Sequence, residues 1–159
     1  ITIIFFFNFC KCFCSNIIPY KHIGINQYQN VSTSVGHLLY NFTNGALNIS
    51  SGVDLRSADA LTISGGNEDI IVESPTQIEA VKDLVIMSRV LISGDSDLYL
   101  RSNQSVVLHQ NVTGISLIDI EANSDCLGSD MIMIHEEATI SSNTINIRGN
   151  YFISSIKIV

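Results

Sequence analysis

Along residues 83–110 the chain reads DLVIMSRVLISGDSDLYLRSNQSVVLHQ, where four short apolar pieces alternate with Ser, Gly, Asp, Asn and Arg. The pieces are Leu84–Ile86, Val90–Ile92, Leu98–Leu100 and Val106–Leu108. A strand turns successive side chains to opposite faces, so Leu84 and Ile86 around Val85, or Leu98 and Leu100 around Tyr99, form one apolar face each. Strands of three or four residues cannot bury such a face alone; they make sense stacked against copies of themselves. The pattern predicts an all-β chain, a β-solenoid of short stacked strands. A β-sandwich is the alternative, but its strands run longer and its hairpins carry tight turns. Asn-Gly occurs only at Asn44-Gly45, outside the main array.

The same phrase recurs at 46–64, 83–102 and 130–149, with Leu47 to Leu61, Leu84 to Leu98 and Met131 to Ile145 each 14 positions apart. A further apolar piece sits midway in each: Val53–Leu55, Val90–Ile92 and Ala138–Ile140. Aligned this way, the longer period is irregular, 37 from Leu47 to Leu84 and 47 from Leu84 to Met131. Insertions at solenoid corners project outward and are tolerated. The inward positions expected are Leu47, Ile49, Val53, Leu55, Leu61, Ile63, Ile71, Ile78, Leu84, Ile86, Leu98, Leu100, Ile145 and Ile147. In ISLIDIEAN the phase slips, which predicts a corner or bulge at Leu117-Ile118.

The chain divides into an apolar leader (1–23), a linker or cap (24–45) and the solenoid (46–159), which stops within a strand-like SSIKIV and reads as truncated. Ile1 to Phe9 is almost entirely apolar, yet shorter than the roughly 20 residues a membrane-spanning helix needs. It reads either as the remnant of a signal peptide or anchor, or as translated non-coding sequence. Cys10, Cys12 and Cys14 lack the spacing and the downstream ligand pair of a zinc site, and Cys126 stands alone. In the lead-in, Val35, Leu38, Leu39 and Phe42 have loose helical spacing interrupted by Gly36. A solenoid needs a cap at its first rung, which otherwise exposes an apolar face and an unpaired edge.

Apolar residues make up 46% of the 159, which excludes a disordered chain, whereas charged residues are only 14%. A formal charge of −7 without a basic cluster argues against nucleic acid as a partner. Five Asn-X-Ser/Thr triplets, at Asn30, Asn41, Asn48, Asn103 and Asn111, are glycosylation candidates that tilt the reading toward a secretory route, extracellular or secreted. Asn48 falls opposite the buried face.

Little in the sequence points to catalysis, a metal or another cofactor. Gly94-Asp95-Ser96-Asp97 resembles half a calcium loop but lacks the later ligands, and reads as a solvated turn. His135 is followed by Glu136 and Glu137, and His109 is the other histidine within the rungs; no third group is assigned to them. Enzymes acting on polysaccharides use β-helices with converging charges. Arg56, Arg89, Arg101, Arg148, Asp54, Asp59 and Asp97 are the residues from which such a site would be drawn, although the short loops leave little material for a cleft.

The segments VESPTQIEAVKDLVI (72–86) and DSDLYLRSNQSVVLHQNVTG (95–114) resemble the solenoid ectodomain of the sarcoglycans of the beta, gamma and delta kind. Haemagglutinin-type bacterial adhesins are similar in a looser way. The sarcoglycan resemblance implies a single-pass membrane protein with a glycosylated extracellular β-helix, assembled with other, related protein subunits and without enzymatic activity. The family's C-terminal cysteine cluster has no counterpart here.

Overall fold

The computed structural model describes residues 2–5, 29–34, 37–42, 45–49, 54–122, 130–149, 151–154 and 157–158. These residues form strands and turns with no helix. Three parallel sheets share one interior, and successive strands visit them in rotation.

Sheet A runs from β5 (Leu55–Ser57) through β8 (Thr76–Ala80), β11 (Leu98–Ser102) and β14 (Leu117–Glu121) to β17 (Thr144–Arg148). Sheet B contains β3 (His37–Phe42), β6 (Ala60–Ser64), β9 (Leu84–Ile86), β12 (Val106–Leu108), β15 (Met131–Ile134) and β18 (Tyr151–Ser154). Sheet C contains β4 (Leu47–Ile49), β7 (Ile70–Val72), β10 (Val90–Ile92), β13 (Val112–Thr113), β16 (Thr139–Ser141) and β19 (Lys157–Ile158). The apolar pieces Leu84–Ile86, Val90–Ile92 and Val106–Leu108 are β9, β10 and β12 residue for residue, and Leu98–Leu100 begins β11, which runs on to Ser102.

The solenoid is therefore present, but its period is not the irregular 37 and 47. Register pairs Leu61–Leu84–Val106–Ile132 on sheet B advance by 23, 22 and 26 residues, so a coil on this sheet takes 22 residues where its corners are shortest and up to 26 where they are longer. The three aligned phrases began on different sides: Leu47 belongs to sheet C, while Leu84 and Met131 belong to sheet B. Every side presents the same in-out-in triplet, so triplets alone cannot tell which of three sides a strand occupies.

Identical inward positions stack into columns. Leu55, Ile78, Leu100, Ile120 and Ile147 form one on sheet A, and Leu47, Ile70, Val90, Val112 and Ile140 form one on sheet C; all are buried. Fully burying each such side chain stabilises the fold by roughly 1.5–3 kcal/mol relative to exposure. One inward assignment is overturned. Ile71 faces outward, because Ile70 and Val72 are the buried pair of β7. Val53 lies outside the described residues. The expected corner at Leu117-Ile118 sits two residues earlier, at Ile115-Ser116; Leu117 already begins β14 and Ile115 is left exposed.

The lead-in is a cap rather than a helix. β2 (Gln29–Ser34) pairs antiparallel with β3 and covers the first edge of sheet B, with Tyr40 and Phe42 pointing into the core. The spacing of Leu39 and Phe42 suits a helix, but alternation of Tyr40 and Phe42 with Leu39 and Asn41 satisfies the adjoining sheet. Gly65 lies beneath Phe42, whose ring occupies the space a Cβ there would need. β1 (Thr2–Phe5) is extended too, pairing parallel with β17 beyond the last rung of sheet A. Isoleucine and phenylalanine favour strands, in keeping with this extended form. The rest of 6–28, with Cys10, Cys12 and Cys14, and Cys126, lies outside the described residues.

Corners are where the polar residues work. Asp54, Asp83, Asp97 and Asn111 each accept a backbone N–H from the coil above, from Gln77 (3.0 Å), Ser105 (3.2 Å), Leu117 (3.2 Å) and Thr139 (2.8 Å). These side chains staple successive coils where the ladder breaks, satisfying donors that would otherwise go unpaired. Ser57 and Ser102, equivalent positions two coils apart, fold back to accept N–H groups two residues on, from Asp59 and Gln104. Gly94 supplies the left-handed turn, φ 60°, ahead of Asp95.

Candidate functional site

A solenoid with a filled interior meets the world through its outward rows, and the three sheets differ. On sheet A, Arg56, Glu79, Arg101, Glu121 and Arg148 stand in register on five successive rungs, alternating in sign. Ion pairs join Arg56 to Glu79 (3.6 Å), Arg101 to Glu121 (3.8 Å) and Arg148 to Glu121 (3.2 Å). Beside this row run Gln77, Tyr99, Asp119 and Asn146. Asp119 is buried and takes Arg148 Nη2 at 2.6 Å, and the Arg101 guanidinium lies 5.9 Å from the Tyr99 ring centroid. Desolvation, reinforced by the Asp97 carboxylate that its hydroxyl approaches at 3.3 Å, raises the Tyr99 phenol above its ordinary range.

Sheet B offers the opposite chemistry. The corresponding row is Leu39, Thr62, Val85, Val107 and Met133, again in register, but Thr62 is buried, so the uninterrupted outward part is Val85, Val107 and Met133. Met133 is 42% exposed, and Met87, on the trailing side of β9, is 43% exposed. Next along that side His109 and His135 stack across two coils, ring centroids 5.7 Å apart and tilted by 31°. Sheet C is mixed, with Asn48, Ile71, Leu91, Thr113 and Ser141.

Of the charged residues singled out in the sequence, Arg56, Arg101 and Arg148 share the outward row of sheet A, whereas Arg89 and Asp59 lie at other corners. Arg56 and Asp54 pair with each other at 3.5 Å, Arg89 pairs with Asp69 at 2.7 Å two corners away, and Asp59 takes Lys82 at 2.7 Å. The Arg89 hydrogen bond holds the Asp69 carboxyl below its usual range. Asp97, the last residue of the calcium-like turn, accepts the Ser116 hydroxyl at 2.6 Å and serves the corner instead. Among the described residues no three His, Cys, Asp or Glu side chains gather as metal ligands. No helix among them is long and apolar enough to cross a membrane.

Of the glycosylation candidates, Asn103 and Asn111 are at corners, and Asn41 and Asn48 are outward positions of β3 and β4. Asn41 is exposed, whereas Asn111 Oδ1 is engaged by Thr139. Asn30 lies in β2, where the backbone alone is described. What the sequence missed is the ladder on sheet A and the apolar row on sheet B. Both need the true coil spacing, the signal that the misaligned phrases hid.

No family model, curated protein or solved structure matches this chain.

Proposed function

We propose that this chain is a non-enzymatic structural and interaction domain, a sarcoglycan-like subunit of a membrane-associated glycoprotein complex, acting at the extracellular face of the plasma membrane or as a secreted form. Its partners are other protein subunits, related solenoid chains among them. An adhesin passenger segment and a polysaccharide-acting enzyme are the competing readings. The observation that carries the proposal is the outward row of sheet B, where Val85, Val107 and Met133 put apolar side chains on three consecutive rungs, the last of them well exposed. Ordered apolar rows on an outer face mark interaction surfaces. The carboxylates of sheet A support the same side of the argument: Glu79, Asp119 and Glu121 are each held by an arginine. Carboxylates so held are committed to the ladder between coils.

The test is isolation of the full-length chain from the cells that make it, in mild detergent, with and without N-glycosidase. A stoichiometric complex and a mobility shift on deglycosylation are expected. A sugar-free monomer, or cleavage of a polysaccharide such as polygalacturonate, overturns the proposal.

A further inference from the structure

Every lysine and arginine whose side chain is described is already paired. Arg56 binds Asp54 and Glu79, Lys82 binds Asp59, Arg89 binds Asp69, Arg101 binds Glu121, and Arg148 binds Asp119 and Glu121. Among the described side chains the Lys/Arg and Asp/Glu charge left over is therefore all negative, and part of it borders sheet B. Asp83 and Asp130 immediately precede β9 and β15, and Glu136 and Glu137 follow β15 at the next corner. None of the four has a lysine or arginine within ion-pair distance among the described residues. Between these acidic margins lie Val85, Val107 and Met133, with Met87 beside them.

We infer that the outward row of sheet B docks a protein partner that presents an apolar strip bordered by lysine or arginine. The inference rests on the interaction-domain reading and specifies the surface and the chemistry of the partner. Rungs repeat about every 4.8 Å, so the row from Val85 to Met133 spans about 10 Å. That strip is narrow for a stable interface, so the partner must also engage the carboxylate margins. A basic border does so by charge complementarity. A second copy of this chain would bring the same acidic margins into opposition, which disfavours self-association through this face. Sheet A is the poorer docking face, since covering it would strip water from ions that already satisfy one another. Axial continuation of the solenoid is blocked on sheet B at the first rung, where antiparallel β2 covers the edge.

The experiment places a benzophenone photocrosslinking side chain at Val107 on sheet B, Gln77 on sheet A or Thr113 on sheet C of the full chain, expressed in its own cells. Crosslinked peptides are then sequenced. Crosslinks from position 107 to a segment with apolar residues flanked by lysine or arginine are expected. Crosslinks from 77 or 113 but not from 107 overturn this inference and leave the interaction-domain reading standing; crosslinks from none of the three overturn both. A crosslink from 107 to another copy, or to an acidic or uncharged segment, also overturns the inference. Folding is controlled with Val107→Lys and Val107→Thr. The lysine variant is expected to lower complex recovery about tenfold with an unchanged urea midpoint, while the threonine variant retains it. Equal recovery by both overturns the inference.

Discussion

Sheets A and B are built from the same rungs, share one interior and repeat at the same interval, yet their outer surfaces obey different rules. On sheet A, charges of opposite sign alternate from Arg56 to Arg148, so each rung finds its complement directly above or below. Exposed pairs of this kind contribute only about 0–1 kcal/mol each. Their larger effect is on register, because slipping one coil would set like charge against like. Sheet B carries no such code. Val85 over Val107 gains contact at any register, so its outer row contributes little to specificity of folding. The difference teaches that one column of a solenoid can keep the coils in step while another faces outward.

The comparison can be broken most forcefully from within. Leu100→Ala on sheet A and Leu108→Ala on sheet B remove equivalent buried side chains, and each is expected to cost about 2–5 kcal/mol in urea unfolding. A large inequality between them would mean that the two sheets do not share one core. Next in size, Asp119→Asn removes the carboxylate that Arg148 approaches at 2.6 Å, with a loss of about 1–2 kcal/mol. Arg101→Glu tests the register role directly by setting three acids in a row between Glu79 and Glu121. It is expected to destabilise by about 1 kcal/mol at low salt and less in 0.5 M salt, whereas the uncharged Val107→Gln on sheet B shows no such salt dependence.

The pH tests each act through a single group. Burial pushes the Tyr40 phenol up to about 12, so the folded chain keeps this proton after the unfolded chain has lost it near 10. Its contribution is intact below pH 10 and is lost as pH rises from 10 towards 12, visible as a falling urea midpoint that Tyr40→Phe attenuates. Asp69 works in the other direction. Its carboxyl is held low by Arg89, so the pair's contribution is present above the ordinary value of 3.8 and fades as pH falls below it. Both groups of that pair are accessible to water, so only a slight acid-side shift between the parent and Asp69→Asn is expected.

Much of this was legible without coordinates. Leu84, Ile86, Leu98 and Leu100 announce strands by alternation, and their shortness, with polar corners between, implies stacking. The failures have a common cause. Ile70, Ile71 and Val72 are all apolar, so alternation could not say which one faces out; pairing of Ile70 with Val90 decided it. Leu47 and Leu84 carry the same local pattern on different sheets, so their alignment produced a false period. Asp54 and Asn111 read as ordinary turn formers, yet their hydrogen bonds run to residues 23 and 28 positions away.

The sequence by itself determined that this chain is a stack of short strands, because burial with a two-residue period is a local property written in each triplet. Which triplets lie above which was decided by tertiary structure, since corner lengths and vertical hydrogen bonds set the coil interval and no triplet carries a label for its side. With that interval come the ladder and the apolar row. Both are properties of residues one coil apart that meet only when the coils close, and it is the apolar row that the functional proposal depends on.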